Sequence, residues 1–461
     1  MTNTALAATQ ARQRALLATV FLLQFLVGLD ISLVNIALPA IQADLGFSRS
    51  GLQWVVNAYL LGFAGFLLVG GRLGDLWSRR RMVLGGLIVF GVASVVGGLA
   101  VAPWLLVTAR AVQGLAAAVL APAALALIAT ITDETAHRRA MAIWGGAGAA
   151  GGAIGVVASG LLTDWFDWRA VMFVNVPIVI GAFAVAFVSI DDNREQSNTR
   201  VDVLGGALIT GGVAAIVYAV TATGEHGWTS WQTLVGFSSG AILLVGFAVT
   251  ERTGAHPLMP IRVLATRSIV GANVFGFMLA AGQLAAFYFC SLYIQTVWNV
   301  SPLLTGVLFL PFCAFVFVGI TASSKLVSKL GARNTIALLG LVGAGGLALF
   351  ARMPVEFSLW TGILLPSALA ATGIGGSMVL VGTVGTAGVP LSDAGVASGV
   401  LNSSRQLGGT IGLAILVTVA AQSTDVAHGY RVGLGVGALF LVAASVAAWL
   451  ILPSDRERRA R

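Results

Sequence analysis

The sequence predicts an all-α integral membrane protein of fourteen transmembrane helices. Three observations carry this expectation. Only 10% of the 461 residues are charged and 57% are hydrophobic, against about 25% charged in ordinary soluble domains. The charges are clustered, and the tracts between clusters have the length of a bilayer crossing, roughly 20 residues. The 58 glycines are interleaved with Leu, Val, Ala and Phe, so they belong to apolar segments and not to a disordered one. A composition of this kind excludes a soluble enzyme, a nucleic-acid binder and a secreted disulfide scaffold.

Helices are expected near 15–38, 51–70, 82–101, 104–130, 140–162 and 169–189 in the first part of the chain. Two more are expected near 203–222 and 231–250, and the last six near 268–297, 302–324, 333–352, 357–389, 394–421 and 429–452. The first is not a cleavable signal peptide, because its apolar run is too long and contains Asp30 and Asn35. Between Arg81 and Arg110 lie 28 uncharged residues, and Pro103 divides them into the third and fourth helices. Residues 140–163, 170–190, 203–224 and 432–454 are each one uncharged tract of spanning length. The 57-residue uncharged tract 268–324 holds two spans, with the turn at Asn299-Val300-Ser301-Pro302.

The 36 uncharged residues from Phe357 to Ser392 could form one helix or two, and charge decides. With one helix there, 20 of the 26 Lys and Arg residues fall on one side of the membrane. Only Arg49, Arg169, Arg352 and Arg431 fall on the other, and Arg110 and Arg405 lie within spans. Such bias marks the rich side as cytoplasmic, so both termini are expected inside. The net charge of +8 thus reports topology, and no nucleic acid is expected as a partner.

The polar stretch from Asp191 to Arg200 reads as a linker after six helices, and 251–267 as a second linker. The expected division is a six-helix bundle in 1–190, a linker with two helices in 191–267, and a six-helix bundle with a tail in 268–461. A faint repeat accompanies it: the loop Gly71 to Arg80 is echoed by Ser324 to Arg333, each after the second helix of its half. Two such halves would place a substrate path near the bilayer midplane. Cys290 and Cys313 fall in adjacent spans, where apolar packing is the expected role. Trp165, Trp168, Trp228 and Trp231 are placed as interface anchors.

Asp30 is the strongest functional signal. Of eighteen acidic residues it is the one placed well inside a span, and an intramembrane carboxylate is functional by default because a charge at that depth is so unfavourable. Arg110 in the fourth helix is its expected partner, since the two lie at similar distances from the outer ends of their helices. Burial favours a neutral carboxyl and a nearby guanidinium an ionised one, so a site holding both can change protonation as its surroundings open and close. All four histidines fall in expected loops, and no histidine relay competes for that role.

Around Asp75, the loop with Gly71, Arg79 and Arg80 suits a cytoplasmic gate, an acid capping a helix or pairing with arginine beside glycines that permit close approach. The fifth helix carries Gly151, Gly152, Gly155 and Gly160 among seven glycines, a composition for close helix packing. Candidates for a largely apolar substrate cavity are Asn35, Gln53, Asn57, Tyr59, Gln113, Gln283, Phe287, Tyr288, Tyr293 and Gln295. Arg405, the other charge inside a helix, could pair with Asp393 or bind an anion; structural pairing is the favoured expectation. Nothing resembles a phosphate loop, a metal cluster or a nucleophile triad, so no cofactor, no metal and no enzymatic activity are expected.

Several motifs resemble the major facilitator superfamily, and within it the fourteen-span drug:proton antiporter branch. The segment Leu29 to Pro39 is similar to that branch's first-helix signature, and Gly71 to Arg80 resembles the superfamily's second-to-third-helix loop, with Leu76 and Ser78 in place of an Arg and a Gly. Arg110-Ala111-Val112-Gln113-Gly114 resembles the fourth-helix motif; Trp168-Arg169 with Phe173, Asn175 and Pro177 the sixth; and Arg405-Gln406-Leu407-Gly408-Gly409 the thirteenth. Gly155 to Gly160 departs from the branch's fifth-helix antiporter motif by lacking its Pro and one Gly. The resemblance implies two six-helix bundles of the major facilitator fold and proton-coupled export of lipophilic small molecules across the cytoplasmic membrane, with Arg110 in proton coupling. With no acidic residue in the later spans, neutral or monocationic lipophiles are the expected substrates. A uniporter or importer of a physiological solute or lipid remains the alternative. The expected partners are the lipid bilayer, protons and a small lipophilic substrate, and a monomer is the default.

Overall fold

The computed structural model describes residues 3–76, 78–131, 133–190, 203–253, 266–386 and 394–453, with side chains except at 3–13, 68–69, 71–76, 203, 224–225, 386 and 394–396. Every regular element among the described residues is a helix. The first seven are α1 (Asn3–Leu45), α2 (Trp54–Leu76), α3 (Arg79–Gly98), α4 (Pro103–Ala129), α5 (Glu134–Trp165), α6 (Trp168–Phe173) and α7 (Asn175–Ser189). Then come α8 (Val203–His226), α9 (Trp231–Thr253), α10 (Arg267–Thr296), α11 (Pro302–Leu308), α12 (Leu310–Leu330) and α13 (Ala332–Phe350). A π-helical turn (Trp360–Leu364) leads into α14 (Leu365–Thr386), followed by α15 (Ala394–Ala421) and α16 (Val426–Ile451). Thirteen runs are long and apolar enough to cross a membrane, counting α6 with α7, α11 with α12, and the π turn with α14. With its 23 residues α2 makes the fourteenth.

Local chemistry fixes the ends. Pro103 opens α4 and Pro302 opens α11, where the missing proline N–H has no helical acceptor to lose. Asp133, Asp167, Ser301 and Asp425 cap the starts of α5, α6, α11 and α16 with side-chain oxygens. Gly331 joins α12 to α13 with φ of 79°, and Asn299 turns between α10 and α11 with φ of 53°, a left-handed conformation that Gly and Asn tolerate best. Three spans are interrupted, each just ahead of a proline: at Val174 before Pro177, at Phe309 before Pro311, and in the π turn before Pro366. A proline inside a helix removes one N–H and crowds the carbonyl four residues back, and these interruptions absorb that strain.

Several spans run longer than the sequence suggests, α1 and α5 among them. The helix α1 continues through Pro39 to Leu45 and α5 begins at Glu134, because polar residues near a membrane surface can prolong a helix that hydropathy alone would end. From Trp360 to Thr386 the chain is one helical run.

Two compact units emerge, residues 1–46 with 54–206 and residues 47–53 with 207–461. In the first, α1 packs on α5 and α7, and α4 packs on α2 and α3. In the second, α10 packs on α15 and α16, and α14 packs on α12 and α13. The pair α8 and α9 meets through small residues, Gly212 against Gly240 and Gly236 against Ala219. Helix α8 also accepts a hydrogen bond at Val220 O from Thr418 of α15 (3.1 Å).

Candidate functional site

Five helices of the first unit converge on the Asp30 carboxylate, which is wholly buried. Arg110 Nη1, from α4, donates to Asp30 Oδ2 at 2.6 Å. On the other carboxylate oxygen, Asn175 Nδ2 donates at 2.8 Å and Gln113 Nε2 approaches at 3.4 Å. The guanidinium makes further bonds: Nε donates to Val55 O of α2 (3.1 Å), and Nη1 also donates to Gln113 Oε1 (2.9 Å). Its Cζ lies 4.4 Å from the centroid of the Tyr59 ring, a cation–π contact. Gln113 Nε2 further donates to Ser94 Oγ (2.8 Å), and Ser94 donates to Phe90 O within α3 (2.8 Å). Tyr59 is buried and its hydroxyl has no hydrogen-bond partner among the described residues.

The backbone brings these groups together by close helix crossings. A Cβ on Gly114 would collide with Tyr59 O, so α2 and α4 touch main chain to main chain beside the Arg110 guanidinium. On α5, a Cβ on Gly151 would lie 2.6 Å from Phe25 O and one on Gly155 2.8 Å from Leu29 O. The crossing of α1 and α5 therefore sits one residue from Asp30. Ser159 of α5 donates to Leu33 O and ties the same pair together. Gly152 has only ordinary contact with Ser32, and Gly160 is buried. Asn175 owes its position to the break at Val174, since it is the first residue of α7.

Two of the cavity candidates, Tyr59 and Gln113, belong to this cluster. Asn35 donates to its own helix at Ile31 O (3.0 Å), and Asn57 is fully buried on α2. Gln53 is not in a span: it lies in the turn ahead of α2, where it donates to Ser50 O (2.9 Å) and to Thr221 Oγ1 of α8 (3.2 Å). The second helix starts at Trp54, later than hydropathy suggests, because 51–53 form a turn. In the second unit Gln283 is half-buried on α10, and Phe287 stacks on Phe309 at 5.6 Å and meets Phe312 edge-on at 5.2 Å. Tyr288 is buried against Phe289, and Gln295 donates to Ser291 Oγ of its own helix (3.1 Å). Tyr293 donates to Met353 O and Pro354 O (3.2 and 3.1 Å) and fixes the end of α10.

Of the gate candidates, the side chains of Gly71 and Asp75 lie outside the described residues. Arg79 opens α3, and Arg80 stacks over Phe187 of α7 at 4.3 Å. At the other end of this unit Arg169 pairs with Asp44 (2.9 Å) and donates to Ala100 O (3.2 Å), which ties the ends of α1, α3 and α6. Arg405 has no ion pair among the described residues, and Asp393 lies outside them. No group of His, Cys, Asp or Glu among the described residues could hold a metal ion.

Asn175 and Ser94 are members of the Asp30 cluster that residue-by-residue reading does not select. The available signal is a polar side chain in an otherwise apolar span, which holds for both, yet most such residues only bond their own helix.

The sequence model of the Major Facilitator Superfamily matches residues 20–413. The chain is 38% identical to the puromycin resistance protein pur8 of Streptomyces alboniger, over 96% of this chain and 92% of that one. It is 39% identical to the cephamycin export protein CmcT of Amycolatopsis lactamdurans, over 87% and 84% of the two. Among solved structures, the transporter PepTSo of the POT family superposes with a TM-score of 0.69 at 13% identity, covering 96% of this chain and 97% of that one. That last likeness concerns the fold alone. The apolar helices and these relatives together make the chain a multi-pass cell-membrane protein.

Proposed function

Because the chain belongs to the Major Facilitator Superfamily, we propose that it exports lipophilic small molecules, antibiotics among them, by alternating access coupled to inward proton movement. Export is supported by relatives that are named for puromycin resistance and cephamycin export. The observation that carries proton coupling is Asp30, a fully buried carboxylate held by Arg110 and Asn175. A charge buried at that depth is retained where it does work.

In this reading Asp30 takes a proton from the outside and releases it inside. While ionised, it is neutralised by Arg110. When it is protonated, the pair loses its attraction, and Arg110 keeps Val55 O, Gln113 and the Tyr59 ring as partners. The guanidinium then lacks a counter-charge but keeps neutral hydrogen-bond and ring partners, which lessen the penalty of an unpaired charge in low dielectric. Release of that one contact loosens α1 from α4 and favours rearrangement of the helices. A proton moving down 100 mV gains about 2.3 kcal/mol, which sustains roughly a 50-fold substrate gradient for a charge-driving exchange.

Six helices, then two, then six form the working division, with residues 1–190 and 268–461 as the two moving bundles, both termini cytoplasmic and a monomer as the transporting unit. The chain performs no bond chemistry, so it is not an enzyme and needs no cofactor.

The test uses membrane vesicles with an imposed pH gradient and puromycin as substrate. The wild type should move puromycin against its gradient only when protons flow the opposite way, and Asp30→Asn should abolish this at equal membrane abundance. An Asp30→Asn variant that still builds an uncoupler-sensitive gradient overturns the mechanism. Transport independent of the pH gradient in the wild type would favour a uniporter.

A further inference from the structure

Arg405 stands in contrast to Arg110. Both are arginines within a membrane-spanning helix, but Arg110 has three hydrogen-bonded partners and an aromatic ring. Among the described residues Arg405 has no ion pair and no hydrogen bond, and its Nε is buried without a partner. No helix from α10 to α16 contains an Asp or a Glu. The side chain is half-buried, so part of it stays reachable. In the α15 helix, Arg405 is eleven residues from Ala394 and sixteen from Ala421, or about 16 and 24 Å from the two ends at 1.5 Å per residue. Lipid headgroups, which sit at the bilayer surfaces, do not reach that depth.

Packing holds the residue there. A Cβ on Gly276 of α10 would lie 3.0 Å from Arg405 Cγ, 3.4 Å from Leu401 and 3.5 Å from Val381 of α14. A Cβ on Gly408, one turn further on, would collide with Phe277 O. The aliphatic stem is thus clamped where α10, α14 and α15 meet. Polar groups without partners accompany it on the same elements: Asn273 Oδ1 on α10, Ser377 Oγ on α14 and Ser403 Oγ on α15 are also buried and unbonded among the described residues. Ser404 meanwhile donates to Asn273 O (3.0 Å) and fixes the register of α15 on α10.

A permanent guanidinium in low dielectric with no ion pair among the described residues attracts an anion and repels a cation, and its planar fork matches a carboxylate. We propose that Arg405 is the anion-recognition element of a site inside the 207–461 unit, and that its ligand is the carboxylate group of a lipophilic transported molecule. The transported nature of that molecule rests on the export reading above; the binding itself does not. The uncharged remainder of the ligand lies among the apolar side chains of α10, α14 and α15. This gives the transporter a preference for lipophilic anions over the neutral and cationic lipophiles expected from the sequence.

The test measures binding to the purified full chain in nanodiscs of zwitterionic lipid, by energy transfer from its tryptophans to three matched probes: 1-pyrenebutyrate, its methyl ester and 1-pyrenebutylamine. The wild type should bind the carboxylate about 10-fold or more tightly than the ester, the range of a charge-assisted hydrogen bond, and the amine more weakly than the ester. In Arg405→Gln the carboxylate should fall to the level of the ester while ester binding is unchanged. Should Arg405→Gln fail to fold, Arg405→Lys, which keeps the charge and loses the fork, should weaken the carboxylate several-fold and leave the ester alone. The inference is overturned if the wild type does not distinguish carboxylate from ester, or if either folded variant keeps the full difference. It is also overturned if the charge exchange Asp393→Arg with Arg405→Asp restores what Arg405→Asp alone loses in stability, because Asp393 is then the partner. Asp30→Asn should leave the carboxylate preference intact, so failure of proton coupling and failure of this site are read separately.

Discussion

Asn175 Nδ2 lies 2.8 Å from Asp30 Oδ1, on the carboxylate oxygen opposite the one that takes Arg110. The carboxylate is thus held from two sides, by a charge on one and by a neutral amide on the other. Hydrogen bonds to a charged group contribute about 1.5–3 kcal/mol. Asn175→Ala leaves Oδ1 with only the 3.4 Å approach of Gln113, and drug efflux should fall about 10- to 100-fold. Efflux of a fluorescent dye from cells with equal amounts of each variant checks this. Asn175→Ser, which keeps a donor on a shorter arm, should recover part of the loss, whereas a purely steric role for Asn175 predicts no recovery.

The fourteen spans were legible because hydropathy and charge placement are strong, redundant signals in a membrane chain. Even the ambiguous tract after Phe357 resolves into one span by charge, and from Trp360 to Thr386 it is one helical run in the structure. The Asp30–Arg110 pair was legible for a similar reason, since each is an isolated charge in its helix. Asn175 was not. Its role depends on the break at Val174, which turns the first residue of α7 toward α1, and a neutral amide in a span gives no comparable warning. Gln53 was misplaced because an apolar tract cannot reveal that 51–53 form a turn. That Arg405 has no ion pair among the described residues was equally hidden: a sequence shows a charge, not whether anything answers it.

Arg110→Ala should be more damaging to the fold than Asp30→Asn. Arg110→Ala empties the space of a large buried side chain and strips Asp30, Val55 O and Gln113 of their donor, and losing one member of a buried pair costs about 3–5 kcal/mol. Asp30→Asn also takes the counter-charge from Arg110, but it keeps the side-chain volume and an amide oxygen that can still accept from the guanidinium. The double variant Asp30→Asn/Arg110→Ala should therefore be more stable than Arg110→Ala alone. Denaturant titration of the four proteins in mixed micelles completes the cycle. Strict additivity of the two single effects would mean that the 2.6 Å contact carries no coupling.

Membrane orientation is open to a direct experiment. In a background of Cys290→Ser and Cys313→Ser, a cysteine at Glu356 should react with a membrane-impermeant maleimide on intact cells, and one at Lys329 only after permeabilisation. Both positions are exposed, so failure to react reports the side of the membrane and not burial. The reverse pattern would invert the termini and with them the direction in which Asp30 is loaded.

The glycines of α5 divide into two physical classes, and the same substitution should have opposite effects on them. A Cβ at Gly151 would stand 2.6 Å from Phe25 O and 2.8 Å from Leu29 N, both main-chain atoms that cannot move without shifting α1. Overpacking of that kind costs about 1–3 kcal/mol, and here it also displaces the helix that carries Asp30, so Gly151→Ala should lower both thermal stability in detergent and efflux. At Gly145 a Cβ would meet nothing within 4 Å. Gly145→Ala should leave efflux unchanged and raise stability by up to about 1 kcal/mol through helix propensity. Equal losses at both positions would mean that α5 requires glycine along its length for bending, and that the contact with Leu29 is not what selects Gly151.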